Sequence, residues 1–273
     1  MSNEALFQEL VEATRRLAEQ AAHPRTRTLS VSPEVARLLE GIGAPQAPPA
    51  HEAESPAAAS QRESVAASLA ELAAEVSACT KCSLCETRKQ TVFSDGDARS
   101  GIVFVGEAPG ADEDAQGVPF VGKAGQLLTR IIENGMKIPR ESVYICNVLK
   151  CRPPGNRDPL ASEKAACEPY LVRQLEWIRP KVIVALGRHA ANTLLKRDDS
   201  TAALRGQWHF YQDIPLRVTY HPAYLLRCED DPARSRSERA KVWADIQEVM
   251  KVASGELRLD GTGAPANQPG LFE

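Results

Sequence analysis

At 273 residues the chain has room for one ordinary domain with tails, or for two small ones. A hydrophobic fraction of 43% can supply a core, which excludes a wholly disordered chain, and no apolar run is long enough for a membrane helix. The net charge of −3 is unevenly spread: residues 1–78 carry 6 basic and 11 acidic side chains and residues 256–273 one and three, which leaves 26 basic and 22 acidic in 79–255. That mildly basic middle permits a nucleic-acid partner without requiring one. The opening MSNEALFQEL lacks the basic start and apolar stretch of a secretory signal, so a cytoplasmic protein is expected. In a reducing cytosol its seven cysteines are expected as free thiols or metal ligands.

In chain order, Leu6, Leu10, Ala13, Leu17 and Ala21 fall at helical spacing. Residues 43–64 are rich in Ala, Pro, Glu and Ser and read as a flexible linker. A helix over 64–78 then delivers the chain to Cys79. The stretches 101–106, 142–148, 181–187 and 216–220 are short, apolar and β-branched, as buried strands are. Helical patterns cover about 123–136, 160–178, 188–197 and 234–253. This βαβα order predicts an α/β fold with a parallel sheet covered on both faces. The expected organisation is an N-terminal helix and linker (1–65), a folded α/β domain (66–255) and a flexible tail (256–273).

Ligands of open parallel sheets bind outside the carboxyl ends of the strands. Those ends deliver Glu107, Asn147, Arg188 with His189, and His221 to one rim. A carboxylate can place water, an amide can read a donor–acceptor pattern, and an imidazole can donate to a developing anion. The glycine-rich segment 106–125 lets backbone approach a ligand closely. Within it Phe120 is either a stacking platform or a core plug, and Asp112, Glu113 and Asp114 are either a Mg²⁺ site or the acidic first turn of a helix. Cys79 and Cys82 form a C-x2-C pair, and Cys151 and Cys167 a distant C-x15-C pair. Four thiolates can close a zinc site or hold an iron–sulfur cluster, and the missing second knuckle favours the cluster. Cys85 offers a rival spacing.

Together CTKC, ETRKQTVFSDG, GEAPGADEDAQGVPFVGKAGQLL, VYICNVLKCRPPGNRDP, the AAC at Cys167, ALGRHAANTLL and HPAYLLR resemble the family 4 uracil-DNA glycosylases, over about 79–253. The resemblance implies a three-layer αβα fold with a central four-stranded parallel sheet. It also implies a [4Fe-4S] cluster on Cys79, Cys82, Cys151 and Cys167, with Cys85 outside the ligand set. Gly106, Glu107 and Ala108 would line the uracil pocket, Phe120 would stack on the base, and Asn147 would pair with its amide edge. His221 would donate to uracil O2, and Glu107 or Glu113 would place the water. Tyr224 and Leu225 look like the wedge that fills the space left by a flipped nucleotide, and Arg227 like a phosphate contact.

The tail segment Gln268-Pro269-Gly270-Leu271-Phe272 resembles the Q-x-x-L-F peptide that docks bacterial repair proteins on the sliding clamp, with Gln268, Leu271 and Phe272 as its fixed positions. Two competing readings accompany the glycosylase. One is a Mg²⁺-dependent nuclease or phosphotransferase using residues 112–114. The other is a non-catalytic iron–sulfur nucleic-acid-binding protein associated with replication or repair.

Overall fold

The structure, a computed structural model, describes residues 56–260. The helix expected around Leu6–Ala21 and the clamp-like tail lie outside the described residues. The first helix among the described residues, α1 (Pro56–Ser77), starts inside the segment expected to be linker. Proline in the first turn and the three alanines that follow favour a helix there without large apolar side chains.

Six strands form one sheet: β1 (Ser94–Asp95), β2 (Ile102–Gly106), β3 (Tyr144–Asn147), β4 (Val182–Leu186), β5 (Trp208–Tyr211) and β6 (Ile214–Thr219), in the order β1-β3-β2-β4-β6-β5. The central four, β3-β2-β4-β6, are parallel, as expected. Antiparallel β1 and β5 are added at the two edges. Every residue of β2, β3 and β4 is buried, which is why these strands read as continuous apolar runs.

Alternate side chains enter two cores. Val103, Val105, Tyr144, Cys146, Ile183, Ala185, Leu216 and Val218 face one of them. It is closed by α1, α4 (Ala161–Ile178), α5 (Arg188–Leu195) and α6 (Thr201–Leu204) through Leu72, Tyr170, Leu194 and Leu204. Ile102, Phe104, Ile145, Val182 and Val184 face the other. That side is covered by α3 (Lys123–Arg130), α7 (Pro222–Arg227) and α8 (Pro232–Ser254) through Leu128, Leu225 and Ile246. The result is the three-layer αβα arrangement. Residues 123–136 are not one α-helix, because α3 passes into a π-helical turn, Ile131–Met136. Among the described residues no helix is long and apolar enough to cross a membrane.

Register brings the strand ends level. Gly106 pairs with Asn147 and Leu186 with Thr219. The chain continues from this rim into α2 (Ala111–Gln116), α5 and α7.

Candidate active site

The rim opens into a cleft of about 870 Å³, lined among others by Glu107, Phe120, Asn147, Asp158, His189, His221 and Tyr224. Asn147 sits at its floor, 2% exposed, and its Oδ1 has no hydrogen-bond partner among the described residues. A buried polar atom without a partner is costly, so this amide, on a residue that lines the cleft, is a candidate ligand contact. From behind, Lys150 Nζ donates to the Asn147 carbonyl (2.7 Å) and to Gln174 Oε1 (2.6 Å). Lys150 is itself buried, and burial lowers its proton affinity.

Asn147 and Phe120 approach each other across Gly106. A methyl group on Gly106 would lie 2.3 Å from Asn147 Oδ1 and 2.5 Å from Phe120 Cζ. Phe120 is 6% exposed, with part of its ring in the core and part on the cleft, 5.6 Å from the His221 ring centre. It therefore packs into the core and lines the cleft at once. Its backbone is left-handed (φ 55°), an unusual state for a bulky residue. Glu113 holds the turn in place: its carboxylate accepts from the N–H groups of Gly110 (3.1 Å), Val121 (2.9 Å) and Gly122 (2.9 Å). Asp114 is buried and accepts from the Lys89 N–H at 3.0 Å. The acidic triplet thus forms the first turn of α2, with two carboxylates already committed to backbone donors.

His221 caps α7. Its Nδ1 accepts from the Ala223 N–H at 3.1 Å, so the neutral ring carries its proton on Nε2. Burial, aided by Arg227, pushes its pKa down to about 4, while Glu113 pulls the other way. The imidazole is therefore neutral near pH 7. Glu107 behaves oppositely. Burial first, then the Asp158 carboxylate, push it up to about 7 against Arg188 and Lys164.

On the other side, Cys79, Cys82, Cys151 and Cys167 line one small cavity with Arg88, Lys150 and Tyr170. Cys85 does not line it. Arg88 donates to Cys151 Sγ at 3.3 Å, and the Lys150 N–H to Cys167 Sγ at 3.2 Å. Burial pushes the Cys167 thiol up to about 11. No carboxylate lines this cavity, and an all-sulfur donor set with N–H donors beside it suits a thiophilic metal centre. Cys146 and Cys228 are buried elsewhere in the core.

Residues 93–247 match the uracil DNA glycosylase superfamily. A type-4 uracil-DNA glycosylase of Saccharolobus solfataricus is 47% identical over 163 residues, which span 57% of this chain and 76% of that protein. Another, of Thermotoga maritima, is 44% identical over 184 residues, 66% of this chain and 92% of the relative. A type-5 uracil-DNA glycosylase of Pyrobaculum aerophilum is 32% identical over 132 residues, 48% of this chain and 57% of that protein. The chain belongs to the type-4 uracil-DNA glycosylases.

Most residues singled out in this type-4 sequence meet in one cleft: Glu107, Ala108, Phe120, Asn147, His221, Tyr224 and Arg227 all line it. Leu225 does not. It is 2% exposed in the core, so a wedge role for it needs correcting. The reason is helical periodicity: Pro222, Leu225 and Cys228 are buried on one face, while Tyr224 and Arg227 fall on the other. Glu113, offered as a water-placing acid, has its oxygens on three backbone donors, which leaves Glu107 as the available carboxylate. Lys150 and Asp158 carried no sequence signal of their own, since only folding sets them behind Asn147 and beside Glu107.

Proposed function

We propose that the protein is a monofunctional uracil-DNA glycosylase that takes uracil out of the DNA stack, hydrolyses its N-glycosidic bond and leaves an abasic site for base excision repair. One observation carries the site assignment: Asn147, buried with an unpaired Oδ1, shares a cleft with the Phe120 ring and a His221 fixed as an Nε2 donor. Asn147 accepts from uracil N3–H and donates to O4. Cytosine lacks the N3 proton and presents a donor where uracil has O4, so a fixed amide rejects it. Phe120 stacks on the base, with Glu107 and Ala108 in the pocket wall and Gly106 packed against Asn147 and Phe120.

In the reaction the C1′–N1 bond breaks and its electron pair leaves on the uracil ring. The Nε2–H of His221 donates to O2, where that charge collects, so it stabilises the transition state more than the ground state. Water adds to C1′ and gives its proton to the Glu107 carboxylate. Glu113 is a positioning residue that fixes the Phe120 turn. Tyr224 lies on the cleft side of α7, its ring 4.7 Å from that of Tyr220, and is the wedge candidate. The exposed Arg227 contacts phosphate.

The four-cysteine cavity holds a [4Fe-4S] cluster through Cys79, Cys82, Cys151 and Cys167. When bound, that group supplies a crosslink between the segment after α1 and the loop after β3. The protein works in the cytoplasm, and its tail docks on the sliding clamp through Gln268, Leu271 and Phe272. The test is uracil release from a single-uracil oligonucleotide in EDTA, followed by alkaline cleavage at abasic sites. Scission only after alkali supports the reading. Retained DNA binding with no abasic product supports a non-catalytic iron–sulfur DNA-binding protein instead. Scission without alkali that EDTA abolishes supports a metal-dependent nuclease.

A further inference from the structure

Asp158 lies in the loop before α4, 51 positions after Glu107, yet the two carboxylates flank the same imidazole nitrogen. His189 Nε2 is 3.2 Å from Asp158 Oδ2 and 3.9 Å from Glu107 Oε2. Arg188 reaches Asp158 Oδ2 at 2.6 Å. The neighbouring Arg157 is clamped by both oxygens of the buried Glu163 (2.9 and 2.5 Å), which anchors the loop at the start of α4. The Glu107 side chain is 30% exposed and that of Asp158 64%, so the charge beside Glu107 stands at the mouth of the cleft.

We propose that Asp158, held by His189 and Arg188, is a positioning residue that controls whether Glu107 is ionised, and so sets the lower pH limit of base excision. This rests on Glu107 receiving the water proton. The charged and titratable groups facing Glu107 are Asp158 from the loop, Arg188 and His189 from α5, and Lys164 from α4. Asp158 disfavours a second negative charge nearby, whereas Arg188 and Lys164 favour it. Burial pushes Glu107 in the same direction as Asp158, which leaves it close to its titration point, where a single neighbouring charge matters most. Glu107, Asp158 and His189 also lie close enough together to hold a metal ion, but two basic side chains already balance the two acids.

The experiment compares single-turnover uracil release by saturating holoenzyme across the acid and neutral range for the wild type, Asp158→Asn and Arg188→Gln. Glu107 is titrated in parallel by the carbon-13 shift of its carboxyl group, assigned by difference from Glu107→Gln. Asp158→Asn should move the acid limb and the carboxyl titration to lower pH by about half a unit, and Arg188→Gln should move both up by about as much. A purely structural role would lower rates without moving either midpoint. Profiles that superimpose on the wild type, or that both shift the same way, would overturn the proposal. So would an acid limb that EDTA shifts, because the three side chains would then serve a bound cation. Variants whose Glu107 titrations shift in the predicted opposite directions, beside a wild type that releases no uracil, would sink the glycosylase reading and leave the charge control standing.

Discussion

The backbone N–H of Ala223 donates to His221 Nδ1 at 3.1 Å, and this bond decides which ring nitrogen faces the cleft with a proton. His221→Ala should slow uracil release about 10²–10³-fold, the usual cost of losing one donor to a developing anion. The fold should persist, because α7 keeps Pro222 in its first turn. The imidazole also leaves a stability signature. Its folded pKa of about 4 lies below the ordinary 6.5. Between those values the unfolded chain binds a proton that the native ring refuses, so wild-type stability should fall as pH drops from about 6.5 to about 4. Chemical denaturation across that window should show a shallower fall for His221→Gln, and equal slopes would count against a buried neutral ring.

Gly106 sets how closely Asn147 and Phe120 approach each other. Its missing side chain leaves Asn147 Oδ1 and the Phe120 ring within 2.3 and 2.5 Å of where a methyl would sit. Gly106→Ala must push one of them out of place. Uracil excision should drop by more than about tenfold, a loss of at least about 1.4 kcal/mol in transition-state stabilisation, and the melting temperature should fall with it. Wild-type excision by this variant would mean that the pocket does not use both groups together.

These groups were partly legible in the chain. β2, β3, β4 and β6 showed as apolar runs because both faces of a parallel sheet are buried, and their ends named Glu107, Asn147 and His221. The edge strands β1 and β5 were not legible. β1 is two residues long, and β5 is mostly half-buried, so neither carries a core pattern. α7 was hidden by its six-residue length, although its burial repeats with helical spacing. The motif placed Leu225 with Tyr224, and the helix turns them about 100° apart, Leu225 into the core and Tyr224 toward the cleft. The charge beside Glu107 comes from Asp158, which no local pattern connects to it.

Glu107 and Glu113 should separate cleanly on substitution. Glu113→Gln breaks into the set of three backbone donors that shape the Phe120 turn, at a cost of about 1–3 kcal/mol for each donor left unsatisfied. Activity and stability should fall together. Glu107→Gln should abolish most excision yet leave the protein as stable or more so above neutrality. The sign follows from its raised pKa of about 7. The native state holds that proton longer than the unfolded chain does, so wild-type stability declines as pH rises from about 4.5 to about 7, and the amide removes the decline. Thermal melts at pH 5 and pH 8 measure both effects. A destabilised Glu107→Gln beside an unchanged Glu113→Gln would reverse the assignment.

The cysteine cavity makes the last prediction. Arg88 links its two sides, donating to Cys151 Sγ at 3.3 Å and to the Ser77 carbonyl at the end of α1 at 3.2 Å. Cys167 accepts from the Lys150 N–H, and the amine of the same lysine supports the carbonyl of Asn147. A metal centre held by these thiolates would tie α1 to the loop directly behind the Asn147 amide, and its binding energy would add to folding. Cys151→Ser and Cys167→Ser should lose visible absorbance and melt earlier, by about 2–4 °C for each kcal/mol lost. Cys85→Ser should keep both, since Cys85 lies outside the cavity. Because Lys150 passes the disturbance to Asn147, the surviving folded fraction of Cys167→Ser should also discriminate less between uracil and cytosine. Unchanged discrimination in that fraction would show that the cysteine centre holds the fold without holding the reader.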